Sequence, residues 1–195
     1  MTKVLEMVFQ GFSKARRGFV MASACLLIWT LASTASDSTI SDLHIHAKGL
    51  GPLVVGMTVR EARALPGVQL DQTGPQPVPD TFCTYYRVRI SDQEIKARVI
   101  KDRIDRIEVS SPKFSTVGGI RIGDSIDRVK VVYGKKVSIE PHHYLWDQGV
   151  VLMVLGPYGN QQNGYGVAFT ASPEKGVTEI WVGWYQGIRE SEGCS

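Results

Sequence analysis

Two stretches of the chain can be laid over each other at an offset of 67 residues without a gap. Residues 50–67 then fall on 117–134, so that Gly56 meets Gly123, Thr58 meets Ser125, Val59 meets Ile126 and Gly67 meets Gly134. A second block follows at an offset of 73, with Ile104-Asp-Arg-Ile107-Glu-Val109 over Val177-Thr-Glu-Ile180-Trp-Val182. Self-similarity of this kind asks the same local structure to form twice. Alternating apolar residues before the first glycine predict a short strand, and the glycine allows a sharp turn into a helix. Thr58 and Ser125 are N-cap residue types, and Thr58-Val-Arg-Glu61 has the capping-box pattern. Ile126, Val129, Val132 and Tyr133 recur at helical spacing, and Gly67 and Gly134 sit where helix C-caps want them.

Strands are expected after each helix. In the first copy they read as Phe82–Ile90, Glu94–Ile100 and Ile104–Val109, separated by hairpin-sized turns. In the second they read as 143–146, 150–155, 165–171 and 177–184. The predicted fold class is therefore α+β: two tandem helix-plus-antiparallel-sheet repeats, each one short helix packed on a three- to four-stranded sheet. Residues 50–111 form the first repeat and 112–186 the second, with 187–195 as a C-terminal tail. Neither copy is large enough to be very stable alone, so the two are expected to share a core or continue one sheet.

The beginning of the chain reads as a targeting segment. Lys14, Arg16 and Arg17 precede the uncharged, mostly apolar run 18–33, and Ser33-Thr34-Ala35 offers small residues for cleavage after Ala35. Residues 1–35 are thus expected to be a signal peptide and 36–49 a flexible entry to the mature protein. The apolar run is shorter than the roughly 20 residues that a spanning helix needs. An uncleaved leader would instead leave an inner-membrane anchor. Arg16-Arg17 also resembles a twin-arginine signal, although paired arginines suit an ordinary export leader. Ala22-Ser-Ala-Cys25 has its most apolar residues after the cysteine rather than before it, which argues against lipidation.

Charge and cysteine content follow from that division. Of the 22 basic and 19 acidic residues, Lys3, Lys14, Arg16, Arg17 and Glu6 lie in the leader, which leaves a formally neutral remainder. The densest basic stretch, Lys96 to Arg106, is interrupted by two aspartates, so no nucleic-acid footprint is expected. Cys25 belongs to the leader, which leaves Cys83 and Cys194. Two cysteines in an oxidising compartment read as a disulfide that would tie down the polar tail.

Gly-Met-Thr-x-x-Glu-Ala and Gly-Asp-Ser-x-x-x-Val, each followed by strands, resemble motifs of bacterial envelope proteins. The likeness is to the secreted β-lactamase inhibitor proteins and to the SmpA/OmlA-type outer-membrane lipoproteins, and it covers about residues 50–184. What the resemblance implies is a non-enzymatic binding or scaffolding role.

Motifs for chemistry are sparse. Zincin, Walker, nucleophile-elbow and dinucleotide signatures are missing from the sequence. The glycine-rich run 156–166 lacks the lysine and following helix of a phosphate cradle and reads as an exposed loop. His44-Ile-His46 would put two imidazoles on one strand face, and His142-His143 could add another, but solvated histidines are the plainer reading. Cys83, His143 and Asp147 could form a thiol triad only without the disulfide. No cofactor or metal is expected.

Aromatic residues carry the functional expectation. Strand alternation turns Trp181 away from Ile180 and Val182, and turns Tyr85, Arg87 and Arg89 away from Tyr86, Val88 and Ile90. Tyr, Trp and Arg on one sheet face have the composition of protein-binding hot spots, though the same side chains suit an internal interface. Tyr85, Arg87, Tyr158, Tyr165 and Trp181 are the candidate partner surface. The expected function is an exported, periplasmic or secreted, protein-binding or scaffolding module of the envelope, whose partner is an envelope or secreted protein. The alternative is a small envelope hydrolase or metal-dependent enzyme, with a site built from His142, His143 and carboxylates.

Overall fold

The structure is a computed structural model that describes residues 43–74, 82–144, 149–155 and 164–194. Three short strands come first: β1 (His44–His46), β2 (Gly49–Leu50) and β3 (Leu53–Val54). After α1 (Val59–Arg63) an antiparallel meander follows, made of β4 (Val68–Gln72), β5 (Cys83–Ile90), β6 (Gln93–Ile100) and β7 (Arg103–Val109). The short β8 (Ser115–Thr116) runs parallel to β1, completing a small sheet of order β3-β2-β1-β8. Next come α2 (Ile126–Tyr133) and a second meander of β9 (Val137–Pro141), β10 (Val150–Leu155), β11 (Tyr165–Ser172) and β12 (Gly176–Trp184). The last element is α3 (Tyr185–Arg189).

This architecture corrects the expected α+β class and its two helix-plus-sheet repeats. The protein is mostly β. β7 pairs with β12, Val109 opposite Ile180 and Ile107 opposite Val182, so both meanders run into one eight-stranded sheet. The helices are only five, eight and five residues long. A helix of one or two turns covers too little of a four-stranded sheet to close a core of its own. Pooling the two meanders into one sheet buries far more apolar surface per ordered residue.

The sequence likeness between 50–67 and 117–134 corresponds to shared local conformation. Thr58 and Ser125 both cap their helices, with side chains accepting from the N–H of Glu61 and Arg128. Gly56 and Gly123 have φ of +94° and +91°. The N–H of Gly56 donates to the Ile104 carbonyl, and Ile104 donates back to Met57. Gly123 and Val177 make the equivalent pair, with Val177 donating to Asp124.

One face of the large sheet looks into the core. Val88, Ile95, Ile104 and Ile107 from the first meander meet Leu152, Phe169, Ile180 and Val182 from the second, beneath Val59, Ala62 and Val129 of the helices. Ile45, Leu50 and Leu53 of the small sheet belong to the same cluster. The segment read as a flexible entry therefore contributes β1 to the core. A strand is expected at 143–146; the observed one is Val137–Pro141, where Val137-Ser-Ile139 alternates, His143 and Tyr144 form a turn, and 145–146 lie outside the described residues. Strand β4 and helix α3 were not legible in the periodicity. Among the described residues no helix is long and apolar enough to cross a membrane.

Candidate functional site

The other face of the large sheet is polar in its first half, and α3 with the tail lies across it. The local reason is a notch. Gly166 and Gly183 face each other across β11 and β12. A Cβ on Gly166 would lie 3.0 Å from Ile188 Cδ1, and one on Gly183 would lie 3.2 Å from Ile188 Cγ2. Two side-chain-free positions thus admit Ile188, which packs with Met153, Ala168 and Tyr185 in a second, smaller apolar cluster. Gly187 is equally constrained, since a Cβ there would sit 2.8 Å from Asp105 Oδ2.

Beside the notch lie two buried arginines. Arg98 pairs with Arg106 across β6 and β7, but Val99 pairs with Ile104, so Asp105 is an extra residue. This β-bulge turns successive side chains, Asp105 and Arg106, toward the outer face while Ile104 and Ile107 stay in the core. Both guanidiniums are 2% exposed. Arg106 donates from Nε and Nη2 to Glu108 Oε1 at 2.8 and 2.6 Å, and from Nη2 to Tyr85 Oη at 3.1 Å. Its Nη1 donates to the carbonyls of Gly187 at 2.9 Å and Glu190 at 2.6 Å. Arg98 donates from Nε to Asp105 Oδ2 at 3.0 Å and reaches the carbonyls of Gly187 and Glu192 at 3.3 Å. Its Nη1 also lies 2.9 Å from Glu190 Oε2. Every nitrogen of each fork is thereby engaged, which makes burial of the two charges tolerable. The carbonyls that they satisfy include those left open at the end of α3.

Aromatic rings frame this centre. Trp181 lies against Arg106, whose Cζ is 4.1 Å from the ring centroid. Tyr85 donates to Glu108 and accepts from Arg106. Its phenol is pushed above the usual tyrosine value by burial and then by the Glu108 charge. Glu179, beyond Glu108 on the same face, is raised above the usual carboxyl value, first by burial and second by Glu108. The tail beyond Glu190 ends in the disulfide Cys83–Cys194, which joins residues 111 apart with a Cα–Cα distance of 5.3 Å. The expected pairing is present. It stitches the tail to the start of β5.

The strap divides the face into two openings. On one side an open depression of about 380 Å³ is lined by Thr73, Gly74, Tyr85, Lys96 and Glu108. On the other, a small cleft of about 80 Å³ has His142, Glu140 and Arg189 at its polar wall and Met153 and Trp181 among its apolar lining. Burial, then the neighbouring His143, lowers the His142 pKa from its usual value.

The candidate residues separate across these places. Tyr85 and Trp181 come together around Arg106, both half-buried. Arg87 is exposed on the same face and pairs with Glu94 at 3.0 Å. Tyr165 belongs to the core side instead, stacked on Trp184 with centroids 4.0 Å apart. Tyr158 and Asp147 lie outside the described residues. His44 is hydrogen-bonded to Ser115 and His46 to the Gly51 carbonyl, each at 3.2 Å. The carboxylate nearest the His142 cleft, Glu140, contacts Arg189 at 3.3 Å. Among the described residues no three His, Cys, Asp or Glu side chains converge as a metal site would require.

Arg98, Asp105, Arg106 and Glu108 are the residues that sequence reasoning missed. A signal existed: Ile104 and Ile107 are three apart, which breaks strand alternation and announces a bulge. No protein-family model, curated protein or solved structure matches the chain.

Proposed function

We propose that the protein is an exported, non-enzymatic binding module that engages an envelope or secreted protein through the outer face of its large sheet. The observation that carries this reading is the make-up of that face: Tyr85 and Lys96 line the open depression beside the strap, Arg87 is exposed on the same face, and Trp181 packs on Arg106 next to Tyr85. Aromatic rings backed by fixed arginines give large contact area at little entropic cost, as binding hot spots do. The Cys83–Cys194 bond is compatible with an oxidising compartment and supports the export reading together with the leader pattern. The enzyme alternative has less to stand on, because Glu140 beside His142 already contacts Arg189.

A photo-crosslinking amino acid placed at Arg87 tests the proposal in cells of the source organism. A discrete adduct with one envelope or secreted protein is expected from position 87 and not from Val131, an exposed residue of α2. Equal adducts from both positions, or none, would overturn it. Intact mass of the recovered protein tests export independently: a chain beginning at Ser36 is expected.

A further inference from the structure

The strap over the polar face binds as a ligand would. Residues 190–193 make no apolar cluster of their own; what they offer is backbone and charge. Glu190 is extended, with φ −70° and ψ 107°. Its carbonyl is held by Arg106 at 2.6 Å, its carboxylate by Arg98 at 2.9 Å, and the next-but-one carbonyl, that of Glu192, by Arg98 at 3.3 Å. Gly193 passes over Tyr85, so closely that a Cβ there would lie 3.2 Å from the phenol oxygen. Carbonyls at alternate residues, one carboxylate and a ring beneath a glycine are the contacts by which a protein recognises an extended acidic peptide. The cations that make them are fixed from below by Asp105 and Glu108, so they need no rearrangement to receive such a segment.

We propose that Arg98, Arg106 and Tyr85 form a binding site for an extended, glutamate-bearing segment of a partner protein, filled in the disulfide-closed chain by its own residues 190–193. This rests on the outer-face reading above and names the class of partner. The Cys83–Cys194 bond is the latch. While it is closed, the tail competes at the high effective concentration of a tethered ligand, and a partner segment is excluded. A dithiol reductant opens it. One of its thiolates attacks a cystine sulfur to give a mixed disulfide, and its second thiol resolves that intermediate. Two electrons and two protons pass to Cys83 and Cys194, and the reductant leaves as its own disulfide. Helix α3 stays docked through Tyr185 and Ile188, which pack with Met153 independently of the cystine.

The test uses the full chain, oxidised and after dithiothreitol, with a fluorescent peptide of residues 190–193, acetylated and amidated, as probe. Hydrogen exchange by mass spectrometry follows the tail in parallel. Reduction is expected to remove protection from 190–194, to leave β5–β7 protected, and to raise peptide affinity at least tenfold. A peptide with both glutamates changed to glutamine is expected to lose that gain. A tail that stays protected after reduction would overturn the proposal. So would a released tail with no peptide binding, or dimers formed by exchanged tails that added peptide does not dissociate. Should the reduced chain unfold, a Cys83→Ser chain ending at Arg189 replaces it. Thermal stabilisation by the peptide supports the site there, and its absence overturns it. If crosslinks from position 87 form equally with the oxidised chain while no peptide binds, the outer-face reading stands and the strap proposal falls.

Discussion

Arg106→Met is the most informative single change, because Arg106 links β7 to Tyr85 of β5, Trp181 of β12 and the strap. The side chain is 2% exposed and contacts Glu108, Tyr85, Trp181 and two carbonyls of the strap. Methionine preserves much of the volume against Trp181 but leaves Glu108, 8% exposed, without its cation. Breaking a buried pair from one side costs about 3–5 kcal/mol, since the remaining carboxylate must stay charged unpaired or take up a proton. Against a typical total stability of about 5–15 kcal/mol, that is a large fraction. For a chain of this size it corresponds to a fall in Tm of roughly 6–20 °C. Urea unfolding measures it, and a double-mutant cycle with Glu108→Leu isolates its origin. If the unpaired charge dominates, Arg106→Met/Glu108→Leu recovers most of the loss, with a coupling of roughly 2–3 kcal/mol. A single-mutant cost under about 1 kcal/mol, or additive losses in the double mutant, would refute the reasoning.

Three further outcomes are expected. Cys83→Ser/Cys194→Ser opens a loop spanning 111 residues and should cost about 4–5 kcal/mol in the chain-entropy model, visible in calorimetry as a Tm lower by roughly 10 °C or more. A change of only a degree or two would mean that the cystine does not constrain the unfolded chain as that model requires. Gly176 has φ +66°, and a Cβ there would lie 2.5 Å from the Asp124 carbonyl oxygen. Gly176→Ala should therefore destabilise by roughly 2 kcal/mol or more in denaturant titration, and a neutral result would show that the junction can shift. Glu179 has its folded pKa raised by burial and by Glu108. Its contribution to stability is thus complete below the ordinary carboxyl range and is lost as pH rises through the raised folded value. Glu179→Gln should match the parent near pH 4 and exceed it at pH 7, and parallel stability curves across that range would count against the burial argument.

Much of the local structure was legible from residue types. Thr58 with Glu61, and Ser125, specify helix starts through hydroxyls that can only satisfy nearby N–H groups. Alternation in 83–90 and 93–100 specifies strands, because a half-buried strand sorts its side chains by parity. The cystine followed from counting. Assembly was not legible in the same way. Nothing local tells β7 to pair with β12, and that pairing replaces two separate helix-on-sheet units by one eight-stranded sheet. Helix spacing in a short segment such as Val59–Arg63 says that a helix forms, not that it can cover a sheet.

The site divides along the same line. Parity put Tyr85, Arg87 and Trp181 on one face, and there the structure has them. Arg98 lies on that face too, and only the bulge at Asp105 brings both Arg106 and Asp105 to the same side. Only the glycine notch brings Ile188 and the tail down upon them. Sequence periodicity reports which way a side chain faces within its own element. It carries no information about which distant backbone carbonyls will arrive to meet it. That choice belongs to tertiary structure, because a buried guanidinium is stable only where the whole fold delivers its acceptors together.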